Sequence, residues 1–148
     1  MFINSYNRND PNFLSKFLEE REANLTASKM ITFTRLNSLG LVNYESKSYD
    51  LIWIDGAHGY PIVAIDIANS VRLLRDGGVL LCDDVWVGRN ADVSDFLYKS
   101  GATIETLQAM KEADLIDFSL AYKRLDFESA GNPLLKEYIA IAKHRSQR

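Results

Sequence analysis

The 148-residue chain has one cysteine, Cys82, and several further absences that narrow its function. A lone thiol cannot form an intramolecular disulfide, which fits a reducing compartment. No apolar run approaches the roughly 18 residues needed to cross a bilayer, and the N-terminus lacks the apolar core of a secretory leader. A cytoplasmic location and no membrane partner are therefore expected. Basic residues are not in excess either: 17 Lys and Arg stand against 20 Asp and Glu, a net charge of −3. That balance argues against a nucleic-acid partner, which calls for a basic face. The basic end Lys143-His144-Arg145-Ser146-Gln147-Arg148 reads as a solvated tail in which His144 has no role.

What is present is an ordinary folding composition, 47% hydrophobic and 25% charged, long enough for one domain over residues 1–148 with its own core. Met1–Ser5 reads as the tail of a strand, and Asp10 ahead of Pro11 as a helix start. Phe13, Leu14, Phe17 and Leu18 recur at helical spacing opposite Glu19, Glu20, Arg21 and Glu22. Met30–Thr34 and Asp50–Ile54 are expected strands. Pro61 opens a helix with an apolar stripe through Ile62, Ile65, Ala68 or Asn69, Val71 and Leu74, and Arg75-Asp76-Gly77-Gly78 turns the chain, glycine supplying a positive φ. Val79–Cys82 is a strand buried on both faces, with Cys82 a small buried hydrophobe. A short helix over Asp92–Tyr98 stopped by Gly101, strands at Thr103–Leu107 and Phe118–Tyr122 pairing antiparallel, and a last helix at Leu134–Ala142 complete the expectation. Such alternation implies an α/β fold, a mixed sheet with helices on both faces.

Chemistry gathers at two strand ends. The strand Asp50–Ile54 stops on Asp55-Gly56-Ala57-His58-Gly59-Tyr60, and Val79–Cys82 stops on Asp83-Asp84. In open α/β sheets ligands lie outside the carboxyl ends of parallel strands. Asp55, Asp83 and Asp84 offer hard oxygen ligands suited to Mg²⁺ or another divalent cation, since one cysteine and scattered histidines lack zinc spacing. His58 stands where a general base for a hydroxyl proton would be needed. Plainer readings also apply. Asp55 suits a cap for the Pro61 helix, His58 a satisfied core histidine, one of Asp83 and Asp84 a loop support, and Tyr60 helix-entry packing. For Trp53 and Trp86, core packing is the better reading.

The run Tyr49–Tyr60, then Asp66, then Leu73–Asp84, resembles the second half of class I S-adenosylmethionine-dependent methyltransferases, in particular the group with an Asp-Gly-x-His-x-Tyr loop. The resemblance covers roughly residues 30 to 125. It implies a Rossmann-like sheet, S-adenosylmethionine as cofactor and a small-molecule or sugar hydroxyl as acceptor. By resemblance to metal-dependent O-methyltransferases, Asp55, Asp83 and Asp84 would hold the cation and His58 would be the base, with Asp55 beside it. Asn37 and Ser38 match the position that contacts the adenine, where Asn37 replaces the usual acid, and Asp55 would also face the cofactor.

One departure matters. The family's glycine-rich turn lets backbone approach the cofactor closely, and the first glycine here is Gly40. An N-terminally shortened form of the topology is therefore expected, with a sheet edge left open to pairing in a homo-oligomer. A methyltransferase and a non-catalytic assembly module both fit these residues. A phosphoacceptor receiver domain shares the acidic pair but fails on order, with Asp55 upstream and no lysine expected to close a later strand beside the acids.

Overall fold

A computed structural model of the protein describes residues 11–87, 101–123 and 137–145. The chain divides into two compact units, Met1–Leu36 and Asn37–Arg148. The first holds helix α1 (Pro11–Thr26), which follows from the helical spacing of its apolar residues and ends where Thr26 turns its hydroxyl back to the Glu22 carbonyl. Arg21 lies over the Phe33 ring at 5.6 Å. Met30–Thr34 forms no strand, and Met30 is fully open to solvent. A strand exists only with a neighbour to share its hydrogen bonds, and among the described residues this segment has none. Met1–Ser5 and Asp92–Tyr98, expected as strand and helix, lie outside the described residues.

The second unit is built on a four-stranded mixed sheet in the order β1-β2-β4-β3. Its strands are β1 (Tyr49–Ile54), β2 (Leu74–Trp86), β3 (Ile116–Tyr122) and β4 (Glu137–His144). Helix α2 (Ile62–Leu73) carries the chain from β1 to β2, which run parallel. β4 lies antiparallel between β2 and β3. The α/β class and the Rossmann-like mixed sheet are as the sequence implied.

Two elements have exchanged type. Thr103–Leu107 is not a strand but part of helix α3 (Ala102–Glu112). Its β-branched threonines suggest a strand, yet Ala102, Thr103, Thr106 and Leu107 are buried together at helical spacing, and Thr106 satisfies its hydroxyl on the Ala102 carbonyl at 2.7 Å. Leu134–Ala142 is not a helix. Its described part is β4, in which Ala140 and Ala142 face the core while Ile139 and Ile141 point the other way. Alanine, lysine and glutamate favour helices in isolation, and burial between two strands overrides that preference. The antiparallel partner of β3 is accordingly β4. Gly101 directly precedes α3.

Registration explains the core. Ile52 and Ile54 on β1 lie beside Leu80 and Cys82 on β2, then Ala142 and Ala140 on β4, then Phe118 and Leu120 on β3. This face is covered by α2 and α3 through Val63, Ile67, Val71, Ile104 and Leu107. Of the expected α2 stripe, Val71 and Leu74 are buried, while Ile62 is exposed and Val63 and Ile67 supply the core contacts at that end of the helix. The opposite face carries Leu51 and Trp53, of which Trp53 is 49% exposed. Trp53 is therefore not a core residue, whereas Trp86 is buried.

Gly77 has φ +82°, as the turn requires, and a side-chain carbon on Gly78 would fall 2.9 Å from Leu74. The turn is an excursion within β2, since Leu74 pairs with Tyr49 and Val79 with Leu51. Arg72 ties the preceding segment down, donating to the Leu41 and Tyr44 carbonyls at 2.6 and 2.8 Å. Cys82 is buried in the sheet centre, and burial pushes its thiol up to about 12. A thiol reagent at pH 8 should leave the folded protein unlabelled and react fully once urea unfolds it. Labelling at the same rate in both states would contradict this packing.

Candidate functional site

The parallel pair β1 and β2 sets the loop after β1 beside Asp83 and Asp84, which do not end β2 as expected, since that strand continues to Trp86. Ile54 is in register with Cys82, so Asp55 emerges next to Asp83. The loop from Asp55 then returns through His58 and Tyr60 to Pro61, where α2 begins. His58 is buried, its side chain 4% exposed, and Asp55 is exposed.

The acid pair sits on a β-bulge. Three steps along β2 from Cys82 to Val85 match two steps along β4 from Ala140 to Tyr138. The extra residue is absorbed at Asp83–Asp84, where Asp84 takes φ +49°. Aspartate tolerates this left-handed geometry better than most residues, and Asp83 Oδ1 supports it by accepting the Asp84 amide at 2.8 Å. A bulge re-aims side chains. Here Asp84 Oδ2 comes to 3.8 Å from His58 Nε2, and one ligand atom each from Asp55, His58 and Asp84 lie within 4.8 Å of one another.

Lys123, immediately after β3, was not foreseen as part of this site. Its Nζ donates to Asp83 Oδ1 at 2.6 Å and to Asp84 Oδ1 at 2.5 Å. A lysine does close a later strand beside the acids, contrary to the sequence expectation. The signal available was its place directly after a clear strand, but nothing local tells which acids lie 39 and 40 residues away. Burial works to lower its pKa, and the hydrogen bonds and charges of Asp83 and Asp84 outweigh burial and hold it well above the ordinary lysine range.

The remaining expected residues are placed as follows. Asn37 precedes the 3₁₀ segment Ser38–Asn43 and caps it, its Oδ1 accepting the Leu39 amide at 3.0 Å. The Ser38 carbonyl accepts from Asn69 on α2 at 3.3 Å. Tyr60 is half exposed, and its hydroxyl lies 3.4 Å from Thr106 Oγ1 on α3. Asp66, on α2, turns its Oδ2 toward Gly56 while its Oδ1 is buried without a hydrogen-bond partner. His144 is not in a loose tail. It ends β4, half-buried, with Nε2 3.1 Å from the Leu74 carbonyl. Among the described residues no helix is long and apolar enough to cross a membrane.

A family model for a methyltransferase domain matches residues 6–85. The chain belongs to that methyltransferase family. No curated protein matches it, but solved structures share the fold of this methyltransferase domain. A Klebsiella pneumoniae protein provisionally classed as an O-methyltransferase has a TM-score of 0.62 at 14% identity, over 88% of this chain and 57% of its own. Cofactor-bound Rv0187 from MTB has a TM-score of 0.57 at 20% identity, over 93% and 59%. Geranyl diphosphate C-methyltransferase from Streptomyces coelicolor A3(2), in complex with Mg²⁺, geranyl diphosphate and S-adenosyl-L-homocysteine, has 0.56 at 14%, over 88% and 60%. The methyltransferase domain thus spans less than two thirds of each of these proteins. The three-atom set of two carboxylates and an imidazole fits a divalent cation. For a methyl donor the fit is partial: Asp55 stands at the strand end, but the earliest glycine in the chain is Gly40.

The Lys123 bridge yields a stability test. Lys123→Met leaves the buried Asp83 carboxylate without its cation, which should cost about 1–3 kcal/mol at neutral pH. A lysine whose pKa is raised on folding stabilises fully below its unfolded value, roughly 10.4, and loses that contribution as pH rises through the higher folded value. The urea-denaturation gap between wild type and Lys123→Met should therefore stay constant from neutral pH to about 10 and narrow only above it. A gap that closes between neutral pH and 9 would count against the bridge.

Proposed function

We propose that the methyltransferase domain carries the acceptor side of an S-adenosylmethionine-dependent O-methyl transfer to a hydroxyl of a small molecule, such as a sugar. The observation that carries this reading is the convergence of Asp55, His58 and Asp84 at the ends of two parallel strands. S-adenosylmethionine, when bound, supplies an electrophilic methyl group on sulfur. His58 takes the proton of the acceptor hydroxyl at a ring nitrogen, the role a buried imidazole can fill at neutral pH. Asp84 Oδ2, 3.8 Å from Nε2, stabilises the imidazolium that results. Asp55, exposed at the strand end, orients the incoming hydroxyl, and fixing that geometry is worth much of the rate.

Asp55 and Asp84 would hold a divalent cation, whose contribution is polarisation of the acceptor oxygen. Asp83, committed through Oδ1 to Lys123 and to the Asp84 amide, supports its neighbour. Asn37 and Ser38 would border the adenine. Calorimetry with S-adenosylmethionine should give a binding isotherm. Radiolabelled methyl transfer to a panel of hydroxyl compounds should then fall by about 10²–10⁴ in His58→Ala, with an unchanged circular dichroism spectrum. A folded protein that takes up no S-adenosylmethionine would remove this reading.

A second reading, an assembly module, is favoured by one observation. Among the described residues β1 is an edge strand of the sheet, and Leu51 and Trp53 on it are 58% and 49% exposed. Exposed apolar edge strands invite pairing with another chain. Light scattering coupled to size exclusion should then show a dimer or larger species that Trp53→Lys converts to monomer. A monomer at all concentrations would exclude it.

A further inference from the structure

The acid pair already has a cation, and it is part of the chain. Lys123 Nζ sits 2.6 Å from Asp83 Oδ1 and 2.5 Å from Asp84 Oδ1, with Asp83 buried and Asp84 half-buried. The ammonium takes one oxygen of Asp84 and leaves the other, Oδ2, turned toward His58. His58 is the observation that points to something beyond this pair. Its ring is 4% exposed, its nearest carboxylate oxygen lies 3.8 Å away, beyond hydrogen-bond distance, and it faces the space shared with Asp55 and Asp84. Among the described residues this buried imidazole makes no hydrogen bond, and the 3.8 Å gap to Asp84 leaves room for a third body between it and the carboxylates.

We propose that Lys123 is a built-in counter-cation that limits how strongly this site binds a divalent cation. The inference rests on the cation reading of the same site and adds a residue that sets its affinity. The charges make the case. Asp55, Asp83 and Asp84 bring three negative charges, Lys123 cancels one, and the remainder matches a single divalent ion. The ammonium also denies Asp84 Oδ1 and Asp83 Oδ1 to an incoming cation, so the site offers single oxygen atoms from Asp55 and Asp84, beside His58, in place of a wider oxygen cage. Repulsion between the fixed ammonium and a divalent ion a few ångströms away weakens binding further. A cation held this way would exchange readily, with its carboxylates kept apart and in place when it leaves.

Manganese binding to the full chain, read from the loss of free Mn²⁺ signal in electron paramagnetic resonance, tests this without reference to activity. Lys123→Met should bind Mn²⁺ about tenfold more tightly than wild type, and Lys123→Arg, which keeps the charge, should behave as wild type. Lys123→Gln, which keeps a hydrogen-bond donor to Asp83 and loses the charge, should also tighten binding and serves if the methionine variant does not fold. Wild type that binds no Mn²⁺ beside neutral variants that do would uphold the counter-cation role and remove only metal assistance from the proposed reaction. Folded neutral variants that bind no more tightly than wild type, or bind nothing, overturn the inference. A merely structural lysine predicts that outcome, since its loss would loosen the site.

Discussion

The parallel pairing of β1 with β2 is the constraint on which the rest of this molecule depends. Because Ile54 lies in register with Cys82, β1 ends level with the bulge in β2, and the loop from Asp55 faces the acids that follow Cys82. The same register directs Ile54, Leu80 and Cys82 toward α2 and α3, so the core and the site are set by one alignment. A one-residue slip would expose that apolar row and turn the acids into the interior. The bulge at Asp83–Asp84 is the local exception the sheet tolerates. It restores the core-facing phase at Val85 while delivering Asp84 to His58.

Electrostatics completes what the backbone begins. Three carboxylates at the ends of adjacent strands repel one another, and a sheet that gathers them needs compensation nearby. Lys123 provides it from the far side of the sheet, arriving by way of β3, whose place beyond β4 looks remote from β2. The antiparallel strands β3 and β4 therefore do more than extend the sheet. They bring in a positive charge that compensates the partly buried acid pair.

Residues with strong local signatures were readable from the chain itself. The alternation into Asp55, the proline at the start of α2, and the glycine pair before Val79 each leave one backbone solution. Long-range placement was not readable in the same way. Thr103–Leu107 and Glu137–His144 carry propensities that point to the wrong element, and only their neighbours in the folded sheet decide the matter. Trp53 looks like a core residue because the strand around it is apolar, but a strand at the edge of a sheet covered on its other face leaves alternate side chains open. Asp55, His58 and Asp84 could be proposed together because each follows a strand or its loop. Lys123 could not, because its partnership exists only through two antiparallel pairings that sequence spacing does not encode.

The clamp formed by Arg72 gives α2 a mechanical role. At its first turn the helix receives the loop that carries Asp55 and His58, and near its last turn Arg72 grips the carbonyls of Leu41 and Tyr44 while Asn69 holds the Ser38 carbonyl. Twelve helical residues make a stiff rod of about 18 Å. A rod pinned at both ends and seated on the sheet through Val63, Ile67 and Val71 behaves as a lever. Any tilt that draws His58 toward the acids must displace the 3₁₀ segment at the other end, so the two loops cannot move independently.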